Sequence, residues 1–255
     1  MTLHSEVSGS GRDLVLLHGW GMHAGIWDGL ARELSPHFRV HAVDLPGYGA
    51  SPACDPCTLE QMATALAQRM PRCCLVCGWS LGGQVALTWA AAAPQQVTRL
   101  ALIAATPCFA RRADWPHAVE ATVLQDFAGA LAQDYAGTLK RFLLLQAQGD
   151  EHAKQVALQL RQSLFERGEP DSRVLRQGLE ILLNADLRDR LSTVEQPTLV
   201  LHGERDMLTP LAAGEYLSRS LPRARLVRLR GAAHAPFVSD STGVSAHLKR
   251  FFDER

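Results

Sequence analysis

The stretch that most limits what this chain can fold into is Cys73-Cys74-Leu75-Val76-Cys77-Gly78-Trp79-Ser80-Leu81-Gly82-Gly83. A continuous apolar run ends in Gly-Trp-Ser-Leu-Gly, and a helix-forming run, Gln84 to Ala93, follows at once. The order reads as buried strand, tight turn, helix, which is the setting in which G-x-S-x-G presents a nucleophilic serine. Such a turn forces the serine into a strained backbone, and neighbours without a Cβ let strand and helix approach closely. Ser80 Oγ is therefore expected at the carboxyl edge of a sheet, near a helix N-terminus. A serine hydroxyl is a poor nucleophile at neutral pH. It needs a base, the base needs an orienting group, and the oxyanion formed on attack needs donors.

The rest of the chain supplies a frame for those parts. Asp13 to Leu17 reads as a strand running into the loop His18-Gly19-Trp20-Gly21, and Trp27, Leu30, Ala31 and Leu34 then recur at helical spacing. Phe38 to Val43 is a further strand, ending in Asp44-Leu45-Pro46-Gly47-Tyr48-Gly49. Thr58 with Gln61 makes a capping box for a helix reaching about Met70. Val97 to Ala104 forms the next strand. From about Pro107 to Arg190 the strand rhythm stops. Helical patterns replace it at Tyr135 to Gln148, Glu151 to Arg167 and Ser172 to Leu183, broken at Gly149 and at Gly168-Glu169-Pro170. Strands resume at Pro197 to Gly203 and Ala224 to Leu229, and an amphipathic helix, Val244 to Phe252, ends the pattern.

Alternating strands and helices imply a mainly parallel sheet flanked by helices. The expected organisation is a core of residues 1–106 and 191–255, with a helical lid of residues 107–190 inserted after the sixth strand. Such a lid would lie over the carboxyl edge of the sheet, where open α/β sheets bind ligands.

Composition narrows the partners. With 26 basic and 26 acidic residues in 255, the chain has no net charge, which argues against a general nucleic-acid binder. No apolar run nears the roughly 18 residues that suggest a membrane span, and the first residues lack an apolar signal region. A monomer in the cytoplasm is the simplest expectation. Cys54-x2-Cys57 and Cys74-x2-Cys77 formally match a zinc-ribbon spacing. Residues three apart on a strand point to opposite faces, however, so Cys74 and Cys77 cannot grip one ion. Reduced thiols packed as small apolar groups are the better reading, and no metal or cofactor is expected.

Asp206 follows a strand through His202-Gly203-Glu204-Arg205, where an orienting carboxylate should stand; Asp186 and Asp189 are rivals inside the insertion. His234 lies in Gly231-Ala232-Ala233-His234-Ala235-Pro236, among small neighbours, whereas His247 sits in an amphipathic helix. The order Ser80, Asp206, His234 is the order of a triad on a strand–turn–helix nucleophile fold. Backbone N–H groups of Trp20 and Leu81 are the expected oxyanion donors, the second because it follows the nucleophile. The Trp20 side chain reads either as pocket wall or as core packing.

These motifs together resemble the α/β-hydrolase superfamily over essentially the whole chain. Further motifs look like the biotin-pathway carboxylesterases that demethylate pimeloyl-[acyl-carrier protein] methyl ester. They are Leu-Leu-His-Gly-Trp-Gly-Met, Gly-Trp-Ser-Leu-Gly-Gly, Arg141-Phe142-Leu143-Leu144-Leu145-Gln146, and Gly178 to Leu182 with Asp186-Leu187-Arg188. The resemblance implies a metal-free Ser-His-Asp methyl esterase. It implies substrate contacts at Trp20, Ser80, Leu81, Phe142, Leu143, Leu144, Leu145, Gln146 and His234. Leu143, Leu144 and Leu145 read equally as tunnel wall or as core. The resemblance also implies an acidic acyl-carrier protein as partner. Lys140, Arg141, Lys154 and Arg161 are then the candidate docking residues, within a basic set that includes Arg111, Arg112 and Arg167. Two other readings share the frame: a generalist hydrolase with another lid, and a non-catalytic receptor on a hydrolase scaffold. Ser80 stands where a haloalkane dehalogenase would carry aspartate, which disfavours that activity.

Overall fold

The computed structural model describes residues 2–131, 133–166 and 171–254. Seven strands form one sheet in the order β1-β3-β2-β4-β5-β6-β7. They are β1 (Ser5–Ser8), β2 (Arg12–Leu17), β3 (Phe38–Val43), β4 (Cys74–Trp79), β5 (Val97–Ile103), β6 (Thr198–Gly203) and β7 (Ala224–Leu229). Only β1 is antiparallel, paired with β3 from Ser5 opposite Val43 to Ser8 opposite Val40. The other neighbours run parallel. Every residue of β4 and of β6 is buried, as expected when helices cover both faces of a parallel sheet.

The helices before β5 are α1 (Asp28–Leu34), α2 (Leu59–Arg69) and α3 (Leu81–Ala92). Thr58 caps α2 by accepting from the Gln61 N–H at 3.2 Å. Four helices, α4 (Ala121–Leu131), α5 (Tyr135–Ala147), α6 (Ala153–Phe165) and α7 (Ser172–Asn184), lie between β5 and β6. Asp134 and Asp171 cap α5 and α7 through their side chains. Around the last two strands come α8 (Leu211–Ser220), α9 (Pro236–Ser239) and α10 (Ser241–Asp253). Between residues 107 and 190 only isolated bridges occur among the described residues, such as Cys108 with Asp186. Arg167 and the Gly168-Glu169-Pro170 break lie outside the described residues.

One expectation needs correction. The insertion follows the fifth strand in chain order, not the sixth. The strands before it are the four read between Asp13 and Ala104 and the short edge strand β1, which makes five. Four elements were not expected: β1, α4, α8 and the short α9. β1 is short and mostly exposed, so no burial pattern marks it. α4 and α8 carry Gly129 and Gly214 inside their spans, which weakens a helical signal.

The topology positions the site. β2 has β3 on one side and β4 on the other. The chain leaves these neighbouring strands in opposite directions, which opens a crevice at their carboxyl ends. The loop after β2 and the turn after β4 meet there.

Candidate active site

Ser80 stands between β4 and α3 with φ +55° and ψ −118°. That region is costly for a residue with a side chain. The turn closes around it because its neighbours are glycine. A Cβ on Gly78 would come 2.3 Å from the Gly82 carbonyl oxygen, and one on Gly82 would come 2.2 Å from that of Leu17. Both obstacles are backbone, so only glycine allows β4, α3 and β2 to pack this closely.

Ser80, His234 and Asp206 meet at the sheet's carboxyl edge. Ser80 Oγ lies 2.9 Å from His234 Nε2, and His234 Nδ1 lies 2.8 Å from Asp206 Oδ2. Asp206 Oδ1 accepts from the N–H groups of Leu208 and Thr209, each at 2.9 Å, and Oδ2 accepts from Thr209 Oγ1 at 2.7 Å. The side chain of His202 donates through Nε2 to the Thr209 carbonyl at 2.6 Å. Because Asp206 accepts from the His234 Nδ1–H, the Nε2 lone pair faces the serine hydroxyl. All three residues are buried, at 3% exposure for Ser80, 5% for Asp206 and 1% for His234.

Burial alone pushes the Asp206 carboxyl up. The charge and hydrogen bond of His234, together with His202 and the Thr209 N–H, outweigh it and hold the group below the ordinary carboxylate value. Burial pushes the His202 imidazole down, against the raising effect of Asp206. Of the rivals for the orienting role, Asp186 pairs with Arg188 at 2.7 Å and Asp189 is exposed. His247 is half-buried on α10.

The backbone of His234 is held from both sides. Trp79 Nε1 donates to its carbonyl at 2.7 Å, and its own N–H donates to the Gln146 carbonyl at 3.3 Å. The adjacent Ala233 N–H donates to Asp150 Oδ2 at 2.9 Å. Thr209, His202 and Asp150 are contributors that sequence reasoning missed. Only Thr209 left a signal, as a hydroxyl three residues after an aspartate in a strand-end loop.

The loop after β2 lies against the serine: a Cβ on Gly19 would sit 3.3 Å from Ser80 Cβ. Among the described residues, neither the Trp20 N–H nor the Leu81 N–H donates to a protein acceptor. Leu81 opens α3, whose N-terminus favours negative charge. The Trp20 side chain is 2% exposed, donates through Nε1 to the Leu175 carbonyl of α7 at 2.8 Å, and packs edge-on against Phe142. It joins the loop to the insertion.

The stretch Phe142 to Gln146 does not converge on one site. It is helical, and successive residues turn by about 100°. Phe142, Leu143 and Gln146 are buried, Leu145 is half-buried, and Leu144 is 52% exposed. Leu144 and Leu145 line an apolar groove of about 840 Å³ with Val123, Phe127, Ala130 and Ala157. Ser80 and His234 are not among its walls. Arg141 and Lys154 do stand there, and with Lys140 and Arg161 they are exposed. Arg111 and Arg112 are differently placed. Arg111 pairs with Glu120, and Arg112 donates to the Asn184 carbonyl.

Chemically, a hydroxyl bonded to an imidazole whose far nitrogen meets a buried carboxylate can shed its proton as it attacks a carbonyl carbon. The comparisons agree with this geometry. The model of the alpha/beta hydrolase fold family matches residues 14–241. The pimeloyl-[acyl-carrier protein] methyl ester esterase of Nitrosomonas europaea is 49% identical, over 93% of this chain and 94% of that protein. The protein of the same name from Nitrosospira multiformis is 40% identical over 98% of both. The esterase EaEST from Exiguobacterium antarcticum superposes with a TM-score of 0.90, covering 99% of this chain and 96% of that one, at 24% identity. It therefore speaks for the fold alone. A match of this extent places the chain in the α/β-hydrolase family, beside the pimeloyl-[acyl-carrier protein] methyl ester esterases.

Proposed function

We propose that this protein is a serine carboxylesterase that hydrolyses pimeloyl-[acyl-carrier protein] methyl ester to the free acid, still on its carrier, and methanol, as a step of biotin synthesis. The observation that carries this reading is the unbroken hydrogen-bonded chain Ser80–His234–Asp206, in a chain 49% identical to an esterase of that name.

In this mechanism Ser80 Oγ attacks the ester carbonyl as His234 Nε2 takes its proton. Asp206 stabilises the imidazolium and keeps the ring in the working tautomer. The Trp20 and Leu81 N–H groups receive the oxyanion. His234 then protonates the departing methoxide, and methanol leaves an acyl group on Ser80. A water molecule, deprotonated by His234, attacks the acyl carbon. Collapse of the second tetrahedral intermediate returns the proton to Ser80 and frees the carboxylate. No step calls for a metal or a diffusible cofactor.

The insertion of residues 107–190 is the lid in this reading. The apolar groove beside Leu144 and Leu145 suits an acyl chain, and the cations Lys140, Arg141, Lys154 and Arg161 suit an acidic carrier. No helix among the described residues is long and apolar enough to cross a membrane. A cytoplasmic monomer belongs to the same proposal.

The test is a comparison of kcat/KM for the carrier-bound methyl ester with that for a panel of short p-nitrophenyl esters, followed by rescue of a biotin-requiring strain. Preference for the carrier-bound ester, with rescue, supports the reading. Good turnover of the short esters alone, without rescue, would make the protein a generalist esterase. Turnover of neither would point to a ligand receptor.

A further inference from the structure

We propose that Cys54 and Cys57 are a redox-active dithiol, a site that exchanges with small-molecule disulfides and closes into an intramolecular disulfide. The esterase reaction makes no use of this pair.

The segment Cys54-Asp55-Pro56-Cys57 lies in the loop between β3 and α2. The two sulfurs lie 3.1 Å apart, and both residues are half-buried free thiols. They thus combine mutual contact with access to a small solute. The other cysteines lack that combination. Cys74, Cys77 and Cys108 are buried, and Cys73 is exposed next to a neighbour that points into the sheet. Only two residues separate Cys54 from Cys57, and the loop is pinned at both flanks. Gly47 N–H donates to the Pro52 carbonyl, and Thr58 caps α2. Closure therefore needs a local adjustment only.

The pair is also asymmetric, as a dithiol that attacks with one sulfur and resolves with the other must be. The hydrogen bond that the two sulfurs share lowers the Cys54 thiol below its ordinary value despite burial and the nearby Asp55 charge. The same bond, reinforced by burial, pushes the Cys57 thiol up. The mutual contact lets either sulfur resolve an adduct on the other, and the lowered Cys54 thiol is the expected first nucleophile.

With oxidised glutathione the step balances as follows. Cys54 thiolate attacks one sulfur, forming a mixed disulfide and expelling a glutathione thiolate. That thiolate takes up the proton of Cys57. The Cys57 thiolate then attacks Cys54 Sγ and expels the second glutathione. The protein dithiol loses two electrons and two protons, and one disulfide becomes two thiols.

The experiment equilibrates the full chain in glutathione buffers of rising oxidised-to-reduced ratio. Samples are quenched with acid and alkylated with N-ethylmaleimide, and the peptide holding residues 54–57 is read by mass spectrometry. The expected result is loss of both alkylation sites together, with the peptide lighter by one pair of hydrogens, and full reversal in excess reduced glutathione. Cys57→Ser should accumulate a glutathione adduct on Cys54, several-fold more than Cys54→Ser accumulates on Cys57. Two wild-type results would overturn the proposal. One is alkylation of both sulfurs at ratios that already modify Cys73. The other is a persistent glutathione adduct on Cys54 that never closes. Both are read on the wild-type protein, so the outcome does not depend on a variant folding.

Discussion

In the core, Asp206 is gripped by two backbone N–H groups, a threonine hydroxyl and the His234 ring. In the insertion, Arg141, Lys154 and Leu144 stand on exposed helix faces around a groove. Strand-end loops hold side chains through backbone donors and close packing, which fixes geometry to fractions of an ångström. Helix faces present a surface whose residues change without disturbing the backbone. Hydrogen bonds that join the two regions include Trp20 Nε1 to the Leu175 carbonyl, His234 N–H to the Gln146 carbonyl, Ala233 N–H to Asp150, Glu151 N–H to the Gly231 carbonyl, and His23 Nε2 to the Ser163 carbonyl at 2.5 Å. Chemistry should therefore respond to the core and partner choice to the insertion, and each prediction below can break that division.

The largest effect is expected from Ser80→Ala. If the core carries the chemistry, kcat should fall by roughly 10⁶ on every ester, as for other serine triads, with Tm little changed because alanine keeps the same strained backbone. A folded variant with near-normal rates would remove Ser80 from the mechanism.

Asp206→Asn comes next, with kcat lower by about 10⁴ because the His234 tautomer is no longer enforced. A pH prediction accompanies it. The folded Asp206 carboxyl titrates below its unfolded value of about 3.9. It therefore contributes stability that is fully present above that pH and is lost as pH falls through the folded value. Acid unfolding curves of the wild type should steepen below about pH 4, and Asp206→Asn should flatten them. Identical slopes would mean that the carboxyl is not held as the geometry requires.

The triple reversal Lys140→Glu, Arg141→Glu, Lys154→Glu tests the other region. For the carrier-bound ester kcat/KM should fall by roughly 10- to 10³-fold at low salt, as steering is lost. The gap should narrow at high salt, and a small free ester should be hydrolysed as before. Equal losses on both substrates would show that the insertion shapes the chemistry itself.

The smallest effect is expected from Gly178→Ala, at the seam. A Cβ there would lie 2.3 Å from the Tyr48 hydroxyl and 2.6 Å from Trp20 Cδ1. The insertion must shift to admit it, so KM should rise a few-fold while kcat and the core's melting change little. A kcat loss as large as that of Asp206→Asn would erase the distinction between the regions.

Much of the core was legible because parallel strands announce themselves. β3 and β7 were expected at their observed bounds, and β6 within one residue. The Thr58 cap was visible because capping is local. The insertion was legible as helical but not as a surface. The Phe142–Gln146 stretch looked like one contact set, yet a helix spreads five consecutive residues around its axis, so Leu144 faces out while Phe142 meets Trp20. β1 escaped notice because its strand character comes from pairing with β3, not from its own side chains.

The sequence by itself determined the strand–turn–helix around Ser80, the order of the three reactive residues and the helical character of the insertion. These depend on steric rules and periodicities that act within a few residues. Only the tertiary structure decided that Trp79 Nε1 holds the His234 carbonyl. It also decided that Gln146 and Asp150 reach back to the His234 loop. Hydrogen bonds and contacts of this kind depend on where the sheet's topology brings separate loops, and no local pattern in the chain encodes that distance.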